Sequence, residues 1–125
     1  MQRTIENLNA VKNGLMDPNA AILMAYKDIF TGTVEDAAKK LSQVGDAGFT
    51  VTFERVPNPS NEKKSVVKIY LTSGSARMDL ATFVGKDLEN LAVHYKAFHG
   101  VGDSDPALIY LTTPSLDTDI KEDGV

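Results

Sequence analysis

The stretch FTVTFERVPNPSNEKKSVVKIYLT, residues Phe49–Thr72, decides the architecture. Both of its ends alternate with a period of two. Phe49, Val51 and Phe53 fall on one side and Thr50, Thr52 and Glu54 on the other. Downstream, Val67, Ile69 and Leu71 oppose Val66, Lys68 and Tyr70. That is the spacing of half-buried strands. Between them PNPSNEKK is polar and rich in proline and asparagine, so the pair reads as an antiparallel hairpin with a long exposed tip. ARMDLATF (76–83) reads as a third, shorter strand. PALIYLTT (106–113) reads as a fourth, because Ala107–Leu111 is apolar on both faces, as in a central or covered strand.

Helical signals surround these strands. Thr4 is placed to cap IENLNAVKN, with Ile5, Leu8 and Val11 on one side and Gly14 past the end. Asp17-Pro18 is a strong start signal, since a proline at the first helical position gives up only an amide without a helical partner. The segment that follows, PNAAILMAYKDIF, is apolar around most of its circumference and reads as the central buried helix. Thr33 caps VEDAAKKLSQV, with Asp36 as the reciprocal member of a capping box. A fourth helix, KDLENLAVHYKAF, stops at Gly100.

The expected fold class is therefore α+β. Three N-terminal helices precede a mainly antiparallel sheet of three to four strands with a long hairpin, and one further helix comes before the last strand. Ile22, Leu23, Tyr26, Phe53, Ile69, Leu91 and Tyr95 are expected in one core. Residues 1–114 read as a single α+β domain and residues 115–125 as an acidic C-terminal arm.

Composition narrows the function. A chain of 125 residues with 42% hydrophobic residues is enough for one core. The net charge of −4 is concentrated in SLDTDIKEDGV, where Asp117, Asp119, Glu122 and Asp123 face a single lysine. The rest is nearly neutral and has none of the basic excess a nucleic-acid binder needs. No apolar run nears the roughly 20 residues of a membrane span. The N-terminal residues show no apolar segment of the secretory kind, so an intracellular or virion location is expected. With no cysteine, disulfides, thiolate metal sites and cysteine nucleophiles are excluded.

Few residues look chemical. Thr72-Ser-Gly-Ser-Ala-Arg77 could hold an anion on the amides around Gly74, the hydroxyls of Ser73 and Ser75, and the Arg77 guanidinium. A phosphate loop, however, feeds a helix N-terminus, and here a strand follows. The stretch reads as a glycine-centred turn. His94 and His99 are five apart on one helix, roughly 140° around it, and cannot share a metal on one face. His99 suits the helix C-terminus, and His94 is expected to face solvent. Asp103 and Asp105 read as turn formers rather than the start of a cation site. Glu54 and Asp79 could face one cleft across the sheet.

The expectation is a non-enzymatic structural protein. It would form a homo-oligomer or a repeated layer in a larger particle, such as a bacteriophage head or tail. Its partners would be copies of itself and other proteins of that assembly, with no nucleic acid, membrane, metal or cofactor. The acidic arm would lie across a neighbouring subunit, with Leu116 and Ile120 as apolar anchors. The alternative is a small anion- or nucleotide-binding regulatory or sequestering protein, using Ser73, Gly74, Ser75 and Arg77. A small enzyme built on Asp103, Asp105 or His94 is a third possibility.

Overall fold

The computed structural model describes residues 1–58 and 60–113, the side chains of 61–64 excepted. Its elements run α1 (Gln2–Lys12), α2 (Pro18–Phe30), α3 (Val34–Asp46), β1 (Thr50–Asn58), β2 (Asn61–Ser73), β3 (Ala76–Phe83), α4 (Leu88–His99) and α5 (Pro106–Thr112), with a short 3-10 turn at Gly85–Asp87. The class is α+β: three N-terminal helices, an antiparallel sheet in the order β1-β2-β3, and helices after the sheet.

Register explains how the sheet chooses its buried face. Val51 lies opposite Leu71, Phe53 opposite Ile69 and Arg55 opposite Val67, which puts these six on one side. The helices cover that side, and Val67, Ile69 and Leu71 are fully enclosed there with Leu8, Ile29, Leu41 and Leu91. The opposite face carries Thr50, Thr52, Glu54, Lys68, Tyr70 and Thr72. In β3 the pairing shifts between Ile69 and Tyr70, leaving Leu80 as an extra residue. A bulge of this kind lets Leu80 and Ala81 both turn inward, and both are buried.

Three readings of the sequence are corrected. First, 107–111 is not a fourth strand but the body of α5. Asp105 caps it by accepting from the Leu108 amide at 3.1 Å, and Pro106 stands at its first position. Leu108 and Leu111, three apart, are its buried pair, whereas Ile109 and Tyr110 are exposed. Second, α2 is not central. It packs through Ala21, Ala25 and Ile29, while Leu23 is 56% and Tyr26 45% exposed. Small alanines let the helix lie close to the core, and the larger side chains are left outside. Third, the hairpin tip is short, because β1 runs on to Asn58 and β2 begins at Asn61.

Thr4 also has a different role from a cap. Helix α1 begins at Gln2, and Thr4 is buried inside it with its Oγ1 donating to Asp28 Oδ2 at 2.6 Å. Asp28 receives a second helix as well: Lys40 Nζ donates to its carbonyl at 2.6 Å and lies 3.3 Å from Oδ1. The Met1 amine is 3.3 Å from Oδ2. One carboxylate of α2 thus ties α1 and α3 together. The Thr4 hydroxyl, then the Met1 ammonium and Lys40, hold its carboxyl below the usual aspartate value against the opposing effect of burial. The capping box of α3 forms as read, with Thr33 accepting from Asp36 and Asp36 from the Thr33 amide.

Candidate functional site

The stretch around Gly74 is a two-residue hairpin turn between Ser73 and Ala76, which pair across it. Gly74 has φ of +60°, and no non-glycine residue described has positive φ. Glycine first and serine second with that sign pattern is the II′ arrangement, whose twist matches the strands it joins. Arg77 sits just beyond, its guanidinium 3.8 Å from the centre of the Tyr70 ring and its Nε donating to Asp79 Oδ1 at 3.2 Å. Lys68 donates to the other Asp79 oxygen at 3.2 Å, and the Tyr70 hydroxyl donates to Glu54 at 3.2 Å. Glu54 and Asp79 therefore flank Tyr70 on the open face of the sheet, each with its own donors. Lys68 and then Arg77 draw the Asp79 carboxyl below its ordinary value, although burial opposes them.

This ladder joins strands and already satisfies the charges on it. Arg77→Ala should leave folding nearly unchanged, since exposed ion pairs contribute only about 0–1 kcal/mol. Nucleotides should not raise the melting temperature. A bound ligand at 100 times its Kd would stabilise by about 2.7 kcal/mol, so an Arg77-dependent thermal shift with any phosphate-bearing compound would restore the anion reading.

The histidines separate. His99 is on α4 among Phe53, Tyr95 and Phe98, its ring 4.2 Å from that of Tyr95. Burial lowers its pKa, partly offset by Asp105. His94 does not face solvent as read. Its ring meets Phe30 edge-on at 5.1 Å and lies 6.5 Å from Phe83, and its Nδ1 is buried without a hydrogen-bond partner. Burial alone lowers its pKa. The folded state thus protonates these imidazoles less readily than the unfolded chain, which takes up protons below about pH 6.5. Their stabilising contribution is full above that pH and declines as pH falls through the lowered folded values. A urea midpoint that falls between pH 7.5 and 5.5, and falls less in His94→Gln, is the expected result.

Asp103 accepts from Lys96 Nζ at 2.7 Å, and Asp105 is the α5 cap. Among the described residues no group of three or more histidines, cysteines or acids could hold a metal ion. No helix there is long and apolar enough to cross a membrane. Leu116 and Ile120 lie outside the described residues.

Two surface features escaped the sequence reading. One is an open groove of about 570 Å³ beside β1, walled by α4 and α5 and lined by Phe53, Tyr95, His99, Ala107, Tyr110 and Leu111 among others. Arg55 crosses one end, donating to Ser65 Oγ at 2.9 Å and to the Tyr110 carbonyl at 3.0 Å. The other is an apolar surface on α2, where Leu23, Met24 and Tyr26 are exposed and Leu15 precedes them. Ring contacts from Tyr26 to Phe30 and from Phe30 to His94 carry it across to α4, where Val93 is exposed. No similarity to a protein-family model, a curated protein or a solved structure reaches significance.

Proposed function

We propose that the protein is a non-enzymatic structural component that assembles with copies of itself, forming a homo-oligomer or a repeated layer of a larger particle such as a bacteriophage head or tail. The observation that supports this reading is the outer face of α2. A helix apolar around most of its circumference ordinarily buries its large side chains. Here Leu23, Met24 and Tyr26 are turned outward, and ring contacts run from Tyr26 to Phe30 and on to His94 of α4. Apolar patches that join several elements mark contact surfaces in proteins that function as assemblies. Fully burying one exposed side chain of this size contributes about 1.5–3 kcal/mol, so these half-exposed residues favour a contact between copies by less than that each.

Light scattering of the full chain over a range of concentrations tests the reading. The expected mass is a multiple of 13.5 kDa. Leu23→Glu should reduce that mass without lowering the melting temperature, because the side chain is not part of the core. A wild-type chain that stays monomeric at every concentration would overturn the proposal.

A further inference from the structure

We infer that the segment Leu116–Ile120 of one copy docks along the free edge of β1 in a second copy, over the groove that α4 and α5 wall beside it. The inference rests on the assembly reading above and adds to the α2 face a second contact between copies. Strand β1 is at the edge of the sheet: β2 pairs with one side of it, and among the described residues no strand pairs with the other. An open edge exposes a row of backbone donors and acceptors, which folded proteins normally cover or blunt. Next to this edge is a groove in which Val51, Phe53, Tyr95 and Leu111 offer apolar surface beside polar Thr52 and Glu54. An edge strand beside such a groove is the arrangement that takes up extended peptides. The strand supplies backbone hydrogen bonds, and the groove takes every second side chain.

The chain itself carries a segment with the matching pattern. In Leu116-Asp-Thr-Asp-Ile-Lys121 the residues alternate strictly. With side chains pointing to opposite sides in succession, Leu116, Thr118 and Ile120 would share one face, and Asp117, Asp119 and Lys121 the other. An added strand would then place its apolar face on the groove floor and its charges in water. Five such residues span about 16 Å at strand spacing, shorter than the nine residues of β1.

The exit from α5 favours a neighbour as the acceptor. Thr113 is extended at φ −72° and ψ 137°, and Pro114 follows it in the sequence. Proline disfavours a helical turn in the residue before it. Only Pro114 and Ser115 separate this exit from Leu116, leaving little chain to bend back onto the groove that α5 itself walls. A contact in which one copy's arm fills the next copy's groove is head-to-tail, and it builds rings or extended layers.

The test uses two full-length variants. Leu116→Asp with Ile120→Asp disables the arm, and Ala107→Trp fills the groove from an exposed position on α5. Each is checked for an unchanged melting temperature and then measured by light scattering. Each variant alone should fall at least one assembly step below the wild-type mass. An equimolar mixture should regain one arm-to-groove contact per pair, doubling the mass of either variant alone. If wild type is oligomeric and neither variant changes its mass, the groove is not the acceptor, although the assembly reading stands. If both variants lose mass and the mixture regains none, the arm does not pass between copies and the inference fails. Amide exchange at 50–56 that is slow in a monomeric wild type and fast in the arm variant would show docking within one chain. That result overturns both the inference and the assembly reading.

Discussion

Replacing Leu91 with alanine should lower the unfolding free energy by about 2–5 kcal/mol, the range for truncating an enclosed leucine. Leu91 is inaccessible to solvent and belongs to the cluster in which α4 meets the sheet and the N-terminal helices. The surrounding elements cannot close onto the space left behind. Helix α4 is held at its far end by the left-handed Gly100, whose amide bonds Lys96, and laterally by Tyr95 against Phe53 at 5.1 Å. Much of the cost should therefore come from the cavity and not only from lost transfer energy. Equilibrium urea unfolding measures it, and an unchanged midpoint would remove α4 from the core.

Asp28→Ala should be the most damaging polar substitution among the described residues, at about 1.5–3 kcal/mol for hydrogen bonds to a charged group. It leaves the buried Thr4 hydroxyl without its acceptor and takes the carboxylate away from Lys40. Lys40 keeps the Asp28 carbonyl, so α3 should loosen less than α1. Amide exchange should accordingly speed up first in α1. Asp28→Asn offers a contrast, because its side-chain oxygen can still accept from Thr4. The charge is lost, and with it the second oxygen that accepts from Lys40. The wild-type carboxyl is held below its ordinary value, so its contribution is present above about pH 3.8 and lost as pH falls through the lowered folded value. Asp28→Asn should lack that part of the acid transition. If wild type and Asp28→Asn lose stability in parallel below pH 4, the carboxylate is not the tie between the helices.

Local signals carried most of the secondary structure. A helix start is a local event, and Thr33 with Asp36 forms the box that the spacing implied. The period-2 alternation at 49–54 and 66–72 fixed both strands and the buried side of β2. The glycine turn could be read equally well, because a two-residue hairpin link needs a positive φ that only glycine adopts freely. Even the error at 106–112 was legible in principle. Asp105-Pro106 is the same start signal as Asp17-Pro18, although the apolar run after it also fits a covered strand. In a short apolar stretch, periodicity cannot separate strand from helix.

What lay beyond the sequence was which apolar face each element buries. Helix α2 has leucine, methionine and tyrosine on one side and alanines on the other, and burial by size alone would turn the large residues inward. The fold does the reverse, because α2 rests on α1, α3 and β3 through Ala21 and Ala25, where close approach matters more than side-chain area. His94 was misjudged for the same reason: its neighbours Phe30 and Phe83 are distant in sequence and meet it only when α2, α4 and β3 converge. The groove beside β1 is likewise made of residues from three separated segments. Periodicity along one element reports that a face is apolar. Whether that face is covered by its own chain, or left for another, depends on how many elements compete for one core, and only the packed structure decides that.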